Sequence, residues 1–206
     1  MKGMTITYEV GNSLYLNITN RCSNRCDFCI RQNGDGAYGS NSLWLEREPT
    51  EAEILAAVDA RDVQKYDEVI FCGYGEPTER LDTLLRVAKA LKAKYGCKIR
   101  VNTNGQSDLI CKRDTAALFA GAVDTLSISL NAPNAAEYQR VCHSVYGEAA
   151  YDAILAFASH AKHYVPHVIL TVVDVALSEE EIAKCREIAA EAGVTLRVRA
   201  YIGKEE

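Results

Sequence analysis

Three cysteines fall within eight residues, in the run Asn20-Arg21-Cys22-Ser23-Asn24-Arg25-Cys26-Asp27-Phe28-Cys29, giving the spacing Cys-x3-Cys-x2-Cys. Thiolates this close repel one another unless a cation neutralises them, so the run predicts a metal centre. Zinc accepts thiolates, but a structural zinc site is normally closed by four protein ligands. The next cysteine is Cys72 and the first histidine is His143, so no fourth ligand is near in sequence. Three local cysteines suit an iron–sulfur cubane that leaves one iron open. A structural metal-binding barrel is the non-enzymatic alternative. The other cysteines, Cys72, Cys97, Cys111, Cys142 and Cys185, lack ligand spacing and read as small buried hydrophobes. His160, His163 and His167 read as surface or cap residues.

The elements that must position this cluster alternate along the chain. Strands are expected at Ser13–Thr19, Glu68–Gly73, Lys98–Thr103, Asp124–Asn131, His167–Asp174 and Val194–Tyr201. Helical patterns fill 50–64, 80–95, 113–120, 134–142 with 150–164, and 178–192. Thr50 with Glu53, and Ser178 with Glu181, have capping-box spacing, while Gly96, Gly121 and Gly193 stand where C-terminal glycines belong. Successive βα units imply a parallel sheet covered by helices. A full eight-unit barrel takes about 250 residues, so the expectation is α/β, a partial (β/α)6 barrel, over 1–206 as one domain. The cysteine run then falls at the C-terminal end of the first strand, where α/β proteins place their sites.

Parallel strands covered on both faces read as continuous apolar runs, yet four of these six alternate. Leu14, Leu16 and Ile18 alternate with Asn17 and Thr19; Ile99 and Val101 with Arg100 and Asn102. Leu126, Ile128 and Leu130 alternate with Thr125, Ser127, Ser129 and Asn131; Leu196 and Val198 with Arg197, Arg199 and Tyr201. The amphipathic helices need the apolar set, so the polar set faces a bore that holds a polar ligand. Arg100, Arg197 and Arg199 share that parity, and a buried guanidinium needs a carboxylate or phosphate opposite it.

Three more strand ends carry polar motifs. Gly73-Tyr74-Gly75-Glu76-Pro77-Thr78 combines close backbone approach with a carboxylate, and Asn102-Thr103-Asn104-Gly105 and Ser127-Ile128-Ser129-Leu130-Asn131 follow. With Cys22, Cys26, Cys29 and the aromatic Phe28, these resemble the signatures of the radical SAM superfamily. The resemblance implies a 4Fe–4S cluster on the three cysteines, with S-adenosyl-L-methionine (SAM) chelating the open iron through its amino and carboxylate groups. It implies that reduction of the cluster cleaves SAM to a 5′-deoxyadenosyl radical that abstracts hydrogen from a substrate. Tyr74, Gly75 and Glu76 stand at a Gly-Gly-Glu-Pro motif that receives the SAM amino group, Tyr74 replacing its first glycine. Thr103 and Ser129 would contact the ribose or methionine carboxylate, with Asn102, Asn104 and Asn131 beside them; Asn131 replaces the acid of a Ser-Leu-Asp pattern.

Over its whole length, including Tyr8 to Thr19, the chain is similar to the small radical SAM proteins associated with TatD-type nucleases. Glycyl-radical-enzyme activases and 7-carboxy-7-deazaguanine synthases are the other small relatives; Ile30 after the third cysteine does not suit the magnesium site of the latter. No domain for auxiliary clusters is expected after the sixth strand. The resemblance implies a one-electron donor such as flavodoxin or ferredoxin, and the interior arginines suit an anionic substrate. The long segment Ile30 to Pro49, with Trp44, is expected to cover the cluster or the substrate. A net charge of -5 does not indicate sequence-independent nucleic-acid binding, and no apolar run reaches the ~20 residues of a membrane span. Without a signal-peptide pattern the expected location is cytoplasmic, where thiols stay reduced.

Overall fold

A computed structural model describes residues 3–174 and 177–200. A seven-stranded sheet runs in sequence order: β1 (Thr7–Val10), β2 (Ser13–Leu16), β3 (Glu68–Phe71), β4 (Ile99–Thr103), β5 (Thr125–Ser129), β6 (His167–Val173) and β7 (Thr195–Arg199). From β2 onward every neighbouring pair is parallel, and β1 pairs antiparallel with β2. The sheet does not close, as expected for a partial barrel. The antiparallel β1 was not expected. Its signal was the dipeptide Gly11-Asn12 between two short alternating runs: Gly11, at φ +54°, makes the tight hairpin turn.

Among the described residues, six helices accompany the sheet: α1 (Glu51–Asp59), α2 (Leu81–Tyr95), α3 (Ser107–Cys111), α4 (Ala135–Cys142), α5 (Ala149–Ala161) and α6 (Glu179–Glu191). The helix expected over 113–120 is instead α3 followed by a short 3-10 turn, Ala116–Phe119. Lys112 adopts a left-handed conformation, φ 54°, and ends α3 there, while Thr115 donates to the Asp108 carboxylate and starts the next turn. No helix among the described residues is long and apolar enough to cross a membrane.

The alternation sorts as expected. Leu14, Leu16, Ile99, Val101, Leu126 and Ile128 are fully buried in one core with Leu84, Phe119, Ile154 and Phe157 of the covering segments. At the C-terminal ends, β2, β3 and β5 are shorter than expected. Asn17 keeps its backbone bond to Ile6 while its side-chain amide donates to the carbonyls of Thr5 and Leu43, and Gly73 passes directly over the Asn17 side chain. These shortened ends form the site. The assignment of Tyr201 to the last strand lies outside the described residues.

The 30–49 segment is fixed at its end by the start of α1. Thr50 and Glu53 complete the expected capping box, and Arg47 binds the same carboxylate at 2.6 Å and 2.8 Å. The Arg47 and Thr50 hydrogen bonds hold the Glu53 carboxyl down at about 2. A carboxyl depressed by folding stabilises above its unfolded value and loses that contribution as pH falls through the folded one. Replacing Glu53→Gln should therefore lower the melting temperature at pH 7. The gap from wild type should shrink between pH 4.5 and pH 2, as thermal melts across that range will show.

Candidate active site

The C-terminal ends of the parallel strands open onto a cavity of about 360 Å3. Cys22, Cys26 and Cys29 line it from the loop after β2, Tyr74 and Glu76 from the turn after β3. Asn102, Thr103 and Asn104 enter from the end of β4, and Ser129 and Asn131 from the end of β5. Gly75 stands behind this lining: a Cβ there would overlap the carbonyl oxygens of Thr19 and Arg21, and one on Gly73 would overlap the Asn17 side chain. These glycines are needed because the β3 turn lies against the root of the cysteine loop. Contact is sealed by the Glu76 amide, which donates to the Arg21 carbonyl at 2.7 Å.

Glu76 is buried, and its carboxylate accepts four hydrogen bonds. Oε1 receives the Thr78 amide (3.0 Å), the Thr78 hydroxyl (2.7 Å) and the Thr103 hydroxyl (2.7 Å); Oε2 receives the Asn104 amide (2.6 Å). Burial still pushes the carboxyl above its ordinary range, against the downward pull of those donors. A cationic group arriving in the cavity would favour the ionised form. Thr103 is thus committed to holding Glu76. Asn104 is committed too: its side-chain amide donates to Ser23 in the cysteine loop, and its carbonyl accepts from the Gln106 amide. Asn102 and Asn131 differ, since their Oδ1 atoms are buried without a hydrogen-bond partner among the described residues. Asn131 is also held in a left-handed conformation, φ 58°, which asparagine tolerates better than most residues.

A buried polar network seats the cysteine loop. Tyr138 of α4 accepts from Asn24 Nδ2 and Gln106 Nε2, each at 2.8 Å; Gln106 also donates to Asn24 Oδ1, and Ser144 donates to Gln106. Backbone bonds from Arg25 and Asp27 to the carbonyls of Cys142 and Val141 dock the loop on the end of α4. Gln106 and Tyr138 were not singled out from sequence, because each reads there as ordinary helix or turn chemistry. Two cysteines assigned to plain packing abut the site as well: Cys72 lines the cavity, and Cys142 meets the Cys26 thiol. All eight cysteines are free thiols. Burial and the nearby Glu76 push Cys22 up to about 12, and Cys26 is raised by its bond to Cys142 and by burial.

Tyr74 is a pin as well as a lining residue. Its hydroxyl sits 2.8 Å and 2.9 Å from the carbonyl oxygens of Gly34 and Gly36, and its ring meets Trp44 edge-on at 5.1 Å. The 30–49 segment is thereby folded over the cavity, which Ala37, Tyr38 and Leu43 help to line. Arg31 reaches back to the carbonyls of Asn20 and Asn24.

Among the described residues, no three His, Cys, Asp or Glu side chains converge on a point able to hold a single metal ion. A cubane takes each thiolate on a different iron. Cys22, Cys26 and Cys29 line one cavity as free thiols, the donor set a cubane takes, and the orphaned Asn102 and Asn131 oxygens offer acceptors to a hydroxyl- or amine-bearing ligand there.

An open parallel barrel with three cysteines and a buried glutamate at its mouth defines a class, and the chain belongs to it. Residues 16–198 match the model of the radical SAM superfamily, a family of enzymes built on a 4Fe–4S cluster and SAM. Among curated relatives, the chain is 29% identical over 188 residues to a probable GTP 3',8-cyclase of Thermococcus kodakarensis, covering 90% of this chain and 55% of the relative. It is 27% identical over 139 residues to a probable dual-specificity RNA methyltransferase RlmN of Caldanaerobacter subterraneus, covering 65% of this chain and 37% of the relative. The chain therefore spans about half or less of these relatives' lengths. In fold it is similar to Streptococcus suis SuiB bound to S-adenosylmethionine, at TM-score 0.67 and 18% identity, over 91% of this chain and 40% of that one. A radical SAM methyltransferase from Sphaerobacter thermophilus follows at TM-score 0.63 and 18% identity, over 94% and 57%.

Removing the Tyr138 hydroxyl leaves the buried Asn24 and Gln106 donors short of an acceptor. Tyr138→Phe should cost about 1–3 kcal/mol of stability in urea unfolding. It should also lower the iron bound per chain after anaerobic reconstitution, because the cysteine loop loses its seat.

Proposed function

We propose that this chain is a radical SAM enzyme that abstracts hydrogen from a small-molecule substrate held in the bore. The observation that carries the reading is the meeting of Cys22, Cys26, Cys29 and Glu76 on one cavity at the strand ends. When bound, the cluster supplies the electron that cleaves SAM to methionine and a 5′-deoxyadenosyl radical. The chain's own residues do the rest. Cys22, Cys26 and Cys29 hold three corners of the cluster, and Glu76, fixed by Thr78 and Thr103, presents its carboxylate toward the SAM ammonium. Tyr74 and Gly75 set the backbone beside it, while Asn102, Asn131 and Ser129 offer polar groups to the ribose and methionine portions. The 30–49 segment, pinned by Tyr74, shields the cavity from bulk water and so protects a radical from quenching.

Superfamily chemistry requires a reductant, and we assign that role to a flavodoxin or ferredoxin. A compartment that keeps all eight thiols reduced, the cytoplasm, suits such a centre. The finer placement beside the TatD-associated proteins rests on the Tyr8–Thr19 resemblance.

The test is anaerobic reconstitution followed by dithionite and SAM. Wild type should give a reduced cubane signal in electron paramagnetic resonance and should release 5′-deoxyadenosine. Cys26→Ala should abolish both, and Cys111→Ala, half-buried outside the cavity, should keep both. No 5′-deoxyadenosine from a cluster-loaded wild type would sink the reading.

A further inference from the structure

Away from the cysteine loop the bore changes character. Arg100 of β4 and Arg197 and Arg199 of β7 all line the same cavity, from walls separated by β5 and β6. Arg100 lies two residues before Asn102, about 7 Å nearer the start of its strand. The cysteines enter the cavity from the loop after β2, whereas these arginines enter from within β4 and β7, so the two groups line it from different elements.

Three guanidinium groups here face little negative charge. Arg100 pairs with Glu68 at 3.1 Å. Arg197 donates to the neutral hydroxyl of Ser127 at 3.2 Å. No ion pair among the described residues engages Arg197 or Arg199. The Nε atoms of Arg100 and Arg199 are buried without an acceptor among the described residues. Glu76, the carboxylate in the cavity lining, is taken up by its four donors. Burial and the two neighbouring arginines press Arg197 below its ordinary range. Guanidinium groups do not discharge by losing a proton, so among the described residues the site keeps two positive charges beyond what Glu68 offsets. Forked donors lining one cavity from two walls match a tetrahedral oxyanion.

We propose that Arg100, Arg197 and Arg199 form a subsite for a phosphate monoester, and that the substrate of this enzyme carries that group. The inference rests on the radical SAM reading only in calling the occupant a substrate. The phosphate anchors the far end of the molecule and leaves its carbon skeleton extending toward the cluster side of the cavity.

The experiment compares thermal melts of the cluster-free full chain in inorganic phosphate, malonate and chloride at equal ionic strength. At ten times its dissociation constant, phosphate should raise the wild-type melting temperature by about 3 °C over chloride, with malonate well below it. The double variant Arg197→Gln/Arg199→Gln should lose most of that shift, Arg199→Lys should keep part of it, and Arg140→Gln, on the exposed face of α4, should keep it all. The proposal is overturned by no phosphate shift beyond chloride, by an equal shift with malonate, or by a shift that survives the double variant. Should the double variant not fold, the contrast among the three anions on wild type decides. A tenfold loss of SAM affinity in reconstituted Arg197→Gln would instead assign these arginines to the SAM carboxylate and also overturn it. A wild type that binds phosphate but yields no 5′-deoxyadenosine would remove the radical reading and leave the anion site standing.

Discussion

A carboxylate placed in a protein interior must find donors or give up its charge, and the Glu76 side chain meets that demand by gathering its surroundings. The donors it needs come from two strand ends at once: Thr78 from its own turn, Thr103 and Asn104 from the end of β4. Its own backbone amide meanwhile closes on Arg21, one residue before the first cysteine. Asn104 then carries the linkage onward to Ser23 within the cysteine loop. One buried charge thus sets the mutual position of three loops that share no sequence proximity. A hydrophobic residue there would be easier to bury, but it would leave the Asn104 amide and two hydroxyls without an acceptor, and the register of the loops would be lost.

The same logic of an interior kept polar governs the sheet. A bore of aliphatic layers would add burial and stability, as in barrels that serve as packed cores. Here the inward parity carries Arg100, Asn102, Ser129, Arg197 and Arg199 beside apolar residues such as Ile70 and Val173, while the main core lies on the outward face. That face is correspondingly dense: Leu14, Leu16, Val69, Phe71, Val101, Leu126 and Ile128 are fully buried. Stability and function are divided between the two sides of one sheet, residue by residue, through the two-residue period of a strand.

Much of this was legible in the chain because the signals were local. Cysteine spacing, capping boxes and strand alternation each need only a few consecutive residues, and the cysteines and Glu76 fell where their strands end. What was not legible depended on residues far apart in sequence. Tyr138 and Gln106 matter because they meet Asn24 across 114 and 82 residues, and nothing beside them announces it. Thr103 and Asn104 were visible as site residues, but their partners were not: the structure turns both toward Glu76 and the cysteine loop. Cys142 looked like core because it is core; only folding brings it against Cys26. The hairpin β1 was missed for a different reason, four residues being too short a run to stand out.

Among the described residues the sheet ends on β1 at one side and β7 at the other, without pairing between them. In a closed barrel, strand number and stagger fix the diameter, and enlarging the interior means breaking ladder bonds. An unjoined sheet has no such lock. A small change of twist at each strand pair, spread across the array, adjusts the bore while every existing hydrogen bond survives. The width of the bore is thus set by sheet twist, while the 30–49 segment over it is latched by Tyr74. The unpaired seam acts as an expansion joint.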